Sequence, residues 1–149
     1  MERELHFLAL PEIAPLPPAL TFESPHFAAL LVTDSTRIAD DALATFSTSL
    51  IRAGCSYFCA WGPGCERAHD IFDLQCLDID PVIMTTWHDD EPSDDAIWFF
   101  LRTTFPDDGY FDTTRTALAI VVGAPEWAAH VERRMRDIPL LAHDVLQEV

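Results

Sequence analysis

The chain has 149 residues, 49% of them hydrophobic and 11% aromatic, which indicates one globular domain and excludes a disordered polypeptide. It contains 25 acidic residues against nine arginines and no lysine, so its formal net charge is −16. This acidity repels nucleic-acid phosphates and anionic lipids, and no apolar run approaches the roughly 20 residues that cross a bilayer, so we expect neither nucleic-acid nor membrane binding.

The first 26 residues differ in composition from the rest, because five prolines interrupt them (Pro11, Pro15, Pro17, Pro18 and Pro25). Proline fixes φ and removes a backbone donor, so this segment is expected to be an extended arm. Its apolar side chains predict that it packs on a core formed by an α/β domain at residues 27–149. Residues 6–10 have the composition of a short edge strand, although the sequence alone does not decide whether they join the sheet.

Regular alternation of strands and helices begins at Phe27. Four short apolar runs are typical of buried strands: 27–33, 55–61, 82–87 and 117–122. Helical periodicity and capping residues predict helices at 37–53, 65–77, 93–105, 126–137 and 140–149. Asp34, Ser35 and Thr36 supply N-cap side chains for the first of these. The alternation predicts a single three-layer α/β/α sandwich with a mainly parallel four- or five-stranded sheet, flavodoxin-like or Rossmann-like.

Most chemically competent side chains follow the predicted strands. In an open parallel sheet these loops share one edge, where ligands bind. The candidate catalytic residues at this edge are Glu91, His88, Cys65 and Asp34. The candidate binding residues are Trp61, Glu66, Trp87, Asp89 and Asp90. Surface loops are polar in any α/β fold, so the clustering alone does not establish a site.

Cys65 stands near a predicted helix N-terminus, where backbone N–H groups favour a thiolate. His69 and Asp73 follow at intervals of one helical turn, and the three suggest either a nucleophile with its base and an orienter or a metal site with His88 as a fourth ligand. The zinc hypothesis takes Cys65, His69 and His88. The three acids at 89–91 suit Mg²⁺ or Ca²⁺. The plain alternative is a half-buried thiol and a solvated acidic loop. We expect no cofactor, with a divalent metal as the alternative.

Two blocks, at residues 59–70 and 85–100, resemble a small bacterial family catalogued only as a domain of unknown function. That resemblance implies no activity and no site residues. A looser similarity relates the chain to Toll/interleukin-receptor-type and deoxyribosyltransferase-like α/β domains, which cleave N-glycosidic bonds of nucleotides with a glutamate near a strand end. The similarity places Trp87 and Glu91 at such a site.

The favoured function is a binding or accessory module, immunity-like or a complex subunit, that docks a basic protein partner. The net charge, the acid-rich stretch at 89–112 and the lack of a complete catalytic motif favour it. One alternative is a small enzyme acting on a nucleotide or related metabolite at the sheet edge, and another is a structural zinc domain. The four cysteines form no C-x-x-C pair, so reduced thiols and a cytoplasmic location are expected. The sequence predicts no oligomeric state.

Overall fold

A computed structural model describes residues 2–147 of the chain. Its strands are β1 (Glu4–Leu10), β2 (His26–Val32), β3 (Cys55–Trp61), β4 (Met84–His88) and β5 (Thr114–Val122). Its helices are α1 (Asp40–Ala53), α2 (Cys65–Gln75), α3 (Ser93–Arg102), α4 (Asp108–Phe111), α5 (Pro125–Arg136) and α6 (Ile138–Leu146). The five strands form one all-parallel sheet, which confirms the predicted single α/β sandwich.

The strands lie in the order β1-β5-β2-β3-β4. From β2 the chain proceeds outward to β3 and then β4, and it returns to the opposite side of β2 for β5. Because the direction reverses between β2 and β5, the connections that leave the carboxyl ends of these two strands run in opposite directions and leave a crevice between them. β4 forms one edge of the sheet and β1 forms the other.

Each face of the sheet carries its own hydrophobic core. Side chains of β2 alternate between the two: Phe27, Ala29 and Leu31 face the layer with α1 and α2. Ala28, Leu30 and Val32 face the layer with α3, α5 and α6. All six are at most 1% exposed. Burial of both faces explains why the central strands are continuous apolar runs rather than alternating ones.

The N-terminal segment supplies both a strand and a packed arm. β1 pairs in parallel with β5, from Glu4 opposite Thr116 to Leu10 opposite Val122, so residues 4–10 belong to the sheet. The segment that follows lays partly buried apolar side chains against the α1–α2 core (Ile13, Leu16, Leu20 and Phe22). The proline-rich stretch therefore contributes to the hydrophobic core rather than acting as a free linker.

The predicted start of the first helix is wrong. Asp34 accepts the backbone N–H of Thr36 and caps a single 3-10 turn, Ser35–Arg37, and the α-helix begins only at Asp40. Arg67 of α2 explains the interruption, because its guanidinium donates to the carbonyl oxygens of Ser35 and Ile38 and so takes acceptors a continuous helix would use.

Smaller differences concern other element boundaries. The third predicted strand, 82–87, begins two residues later and ends one residue later than expected, at Met84–His88. A short helix, α4, replaces the expected loop after Pro106, because the Asp107 carboxylate accepts the N–H of Gly109. The last two residues of the predicted final helix, 148 and 149, lie outside the described residues. Within residues 2–147, no helix has the length and apolarity needed to cross a bilayer.

Candidate functional site

The sheet divides the strand-end residues between two places. Asp34 follows β2 and lines the crevice between β2 and β5. His88 and Glu91 lie at the end of β4, with β3 between them and the crevice. Neighbouring strands are about 4.8 Å apart, so β4 is roughly 10 Å from β2. The four candidate catalytic residues therefore do not form one cluster.

The crevice is a cleft of about 630 Å³. The Asp34 carboxylate accepts from Thr36 and lies 3.5 Å from Arg37 Nε. The sequence analysis missed three other residues that line it: Glu12, Arg37 and Trp127. Glu12 could not be placed without knowing that β1 pairs with β5, and Trp127 stands on the helix that follows β5.

Trp61 contacts both Trp127 at the crevice between β2 and β5 and the loop after β4, and these internal contacts occupy its side chain. Its indole Nε1 donates to the carbonyl oxygen of Glu91 over 2.9 Å. Its ring packs edge-on against Trp127, with ring centroids 5.2 Å apart. The polar atom of this predicted binding residue is therefore already used to hold the loop after β4.

His88 sits in a chain of hydrogen bonds beside α3. Its Nδ1 lies 2.6 Å from Glu91 Oε1, and its Nε2 lies 3.0 Å from the hydroxyl of Thr86. The imidazole packs against Phe99 and its side chain is only 8% exposed. A hydroxyl–imidazole–carboxylate chain has the connectivity of a hydrolytic triad, in which both ring nitrogens are likewise engaged, but here the imidazole is covered rather than open to a substrate. The arrangement holds the loop at 88–91 in place.

His69 lies in a second chain of hydrogen bonds, beside α2. Its Nδ1 is 2.9 Å from Asp70 Oδ1, and its Nε2 is 3.0 Å from the Thr85 hydroxyl and 3.4 Å from Asp73 Oδ2. The Thr85 hydroxyl in turn donates to Asp73. The ring of Trp87 covers the imidazole, with ring centroids 4.5 Å apart. His69 thereby fixes the position of Trp87.

The structure does not assemble the three candidate zinc ligands. Successive residues of β4 point to opposite faces, so Thr85 with His69 lies on the α2 side and Thr86 with His88 on the α3 side. His69 and His88 are thus separated by the sheet. Across residues 2–147, no three His, Cys, Asp or Glu side chains are grouped so that they could hold a metal ion.

Cys65 is buried, with 1% of its surface exposed. Burial raises the pKa of its thiol above the ordinary value, although the backbone N–H of His88 and those of the first turn of α2 oppose this shift. The residue is therefore a neutral thiol near pH 7, and a neutral thiol is a weak nucleophile. Desolvation raises the pKa of Cys65 more than the N–H groups at the helix N-terminus lower it, so the predicted reactive thiolate does not form.

The exposed part of the predicted site is the outer edge of β4. Trp87 is 43% exposed and Met84 is 41% exposed. Asp89 and Asp90 follow the strand and are exposed, and α2 contributes Asp70 and Asp73 through the contacts with His69. We call these six residues the β4 edge surface. Sequence reasoning named Trp87, Asp89 and Asp90 as binding residues, considered Asp73 only as a partner of Cys65 and His69, and missed Met84 and Asp70. Only the packing of α2 on β4 brings its two carboxylates to this surface.

This surface lies in the most acidic part of the chain. Residues 68–101 hold nine acidic residues and no arginine or lysine (Asp70, Asp73, Asp78, Asp80, Asp89, Asp90, Glu91, Asp94 and Asp95). Asp94 is neutralised by Arg134, at 2.9 Å. Among the ion pairs formed within residues 2–147, none joins an arginine to any carboxylate of the β4 edge surface. Glu66 is exposed at the start of α2 and adds to the same charge.

Comparison with known proteins places the chain in a family. No curated protein and no solved structure matched it. One family profile, described as Domain of unknown function (DUF7684), matches residues 5–138. That range spans all five strands apart from the first residue of β1, and both hydrogen-bonded chains around β4. The protein belongs to this DUF7684 family of domains of unknown function.

Proposed function

We propose that this protein is a non-enzymatic binding module of the bacterial cytoplasm, and that its β4 edge surface docks a basic region of another protein. One observation carries the proposal: an exposed aromatic and an exposed methionine stand on an edge strand within a run of nine acids, of which only Asp94 pairs with an arginine among the described residues. Exposed Trp and Met are typical of interface anchors, and a field of one sign attracts a partner of the opposite sign.

The burial of the two histidines nearest the surface supports binding rather than catalysis. The side chains of His69 and His88 are only 9% and 8% exposed, and their ring nitrogens bond to neighbouring side chains. They hold Trp87 and the loop at 88–91 in fixed positions before any partner arrives. A preorganised surface loses little conformational entropy on association, which favours affinity. The cytoplasmic location is supported by the four cysteines, none of which is disulfide-bonded.

The test compares two variants of equal net charge. The surface variant carries Asp70→Asn, Asp73→Asn, Asp89→Asn and Asp90→Asn. The control variant carries Glu2→Gln, Glu23→Gln, Asp41→Asn and Glu126→Gln, four exposed acids elsewhere. Native mass spectrometry of complexes purified from the host identifies a partner, which is then purified and titrated against all three proteins.

We expect a basic partner that binds the parent and the control variant alike. Its affinity for the surface variant should fall by about tenfold or more, and raising the salt concentration should weaken the parent complex. Equal affinity for the two variants, or a complex insensitive to salt, would contradict the proposal. So would the absence of any protein partner in complexes prepared at low salt.

The cleft between β2 and β5 favours a second candidate, an enzyme or binding protein for a nucleotide-related metabolite. Its volume of about 630 Å³ lies in the usual range for small-molecule sites, and it occupies the reversal point of the sheet. Trp127 offers an aromatic face, and Asp34 and Glu12 offer acceptors for hydroxyl groups. Thermal denaturation with a set of nucleosides and nucleotides tests it, with Asp34→Asn expected to abolish any stabilisation.

A further inference from the structure

The outer side of β4 is open for backbone pairing. β4 is hydrogen-bonded to β3 on one side, and its register runs from Tyr57 opposite Met84 to Trp61 opposite His88. In the part of the chain that the structure describes, no backbone-to-backbone hydrogen bond outside this ladder involves residues 84–88, and the N–H of His88, at the end of the strand, donates to the thiol of Cys65. Alternate N–H and C=O groups of an edge strand point away from the sheet and can pair with another strand.

We propose that β4 receives an extended, basic segment of the partner protein as a sixth strand, a mode of docking that rests on the function proposed above. Five residues of β4 extend for about 17 Å, which matches a strand of ordinary length. Pairing with an added strand gives affinity through the backbone and specificity through alternate side chains.

Side chains of the added strand point alternately to the two faces of the sheet. On the α2 side, they meet Thr85 and Trp87 of β4 and approach the carboxylates of Asp70 and Asp73. Basic side chains at every second position therefore face two acids and the exposed ring of Trp87. Arginine or lysine stacked on an indole gains a cation–π attraction in addition to the ionic one. The expected segment alternates basic with β-branched residues.

The negative charge around β4 favours a basic segment of a partner protein over a second copy of this acidic chain. Natural sheets protect exposed edges with charged side chains, which prevent two identical edges from pairing. Two β4 edges related by a two-fold axis would run antiparallel and bring Asp70 of one copy toward Asp73 of the other on the α2 side. The same acids attract a basic strand, so they disfavour self-association and favour binding of the partner.

The probe is an amidated heptapeptide of alternating arginine and valine that carries an uncharged fluorophore at its N-terminus, titrated at low salt by fluorescence anisotropy. Two further versions carry N-methyl groups, one on every valine and the other on the arginines between the ends. In a strand, residues of one set donate toward one edge, and residues of the other set donate toward the opposite edge. In the preferred direction of the peptide, with its arginines on the α2 side, one of these edges faces β4, so only one N-methylated version keeps the pairing of that direction.

We expect the parent peptide to bind, one N-methylated version to bind about tenfold more weakly or worse, and the other to remain within about threefold. Amide exchange of alternate residues in 84–88 should slow on binding. Trp87→Ala should weaken binding by about tenfold, whereas Phe105→Ala, which removes an exposed aromatic outside the β4 edge surface, should not.

Binding of both N-methylated versions within about threefold of the parent peptide would overturn strand addition, and the docking function would stand if the surface variant still lost affinity for the purified partner. Failure of the parent peptide to bind at low salt would also overturn strand addition, while the purified partner separately decides the docking function. A dimer of the chain alone that protects the amides of 84–88 would assign the edge to a second copy and overturn the proposal.

Discussion

The imidazole Nδ1 of His88 lies 2.6 Å from Glu91 Oε1. This bond closes a short loop in which Asp90 has a φ of +55°, and the indole of Trp61 holds the carbonyl of Glu91. The loop presents Asp89 and Asp90 at the end of β4. Its conformation is therefore set by buried groups rather than by the exposed acids themselves, which makes Glu91 a positioning residue for the β4 edge surface.

Replacement of this carboxylate should weaken the loop and the docking surface together. We expect Glu91→Gln to destabilise the fold by about 1 kcal/mol, because a hydrogen bond to the nearly buried His88 is lost or weakened. Chemical denaturation measures the stability, and titration with the heptapeptide measures the binding. Glu66→Gln removes an exposed acid that has no such bond and serves as the control. Equal effects of the two changes would contradict the positioning role.

A second prediction concerns acid stability. Burial alone would raise the pKa of Asp94, but hydrogen bonds from Arg134 and His130 outweigh it and lower that pKa below its ordinary value. A carboxyl whose pKa is lowered by folding stabilises the protein above its unfolded pKa of about 3.9, and this contribution is lost as the pH falls through the folded value. Asp94→Asn should therefore cost about 1–2 kcal/mol at pH 6.

The cost should shrink as the pH falls below about 4, since the parent carboxyl then also becomes neutral. Denaturation of both proteins at several pH values measures it. Asp95→Asn, on the same helix and without an ion pair among the described contacts, should change stability little at any of these pH values. A cost for Asp94→Asn that stays constant down to pH 2 would contradict the interpretation.

A third prediction separates two glycines that both have positive φ. A Cβ built on Gly62 would lie 2.1 Å from the carbonyl oxygen of Thr33, and its φ is +115°. Gly123 has a φ of +68°, and the nearest atom to its Cβ is 4.0 Å away. Gly62→Ala should therefore cost about 3 kcal/mol or more, and Gly123→Ala only about 1 kcal/mol from the backbone conformation. Thermal or urea denaturation distinguishes the two, and equal costs would contradict it.

A fourth prediction concerns the thiols. Burial raises the pKa of Cys59 to about 12, and it also raises the pKa of Cys55, Cys65 and Cys76. Alkylation requires an accessible thiolate, so iodoacetamide at pH 7.4 should label native protein at least about tenfold more slowly than protein unfolded in urea. Mass spectrometry of the intact chain measures the rate. Rapid labelling of Cys65 in the folded protein would restore it as a candidate nucleophile.

Local patterns in the sequence were sufficient to predict the α/β sandwich. The apolar run at β2 and the run at β5 indicated strands buried on both faces, and helical spacing indicated the layers that cover them. Strands and helices repeat their side-chain directions every two and every 3.6 residues, so a short stretch of sequence is enough to recognise either pattern. The start of α1 was not predictable in this way, because Arg67, far along the chain, takes up the carbonyl oxygens near Ser35.

The sequence by itself determined the fold class, the strong negative charge and the gathering of polar side chains at the carboxyl ends of the strands. Only the tertiary structure decided that β1 joins β5, that Asp34 is separated from His88 by β3, and that His69 and His88 lie on opposite faces of β4. The physical reason is that the order of the strands, and the face of the sheet on which each side chain lies, depend on pairings between segments that are distant in the sequence. No local pattern records such pairings, and they alone decide which acids surround Trp87.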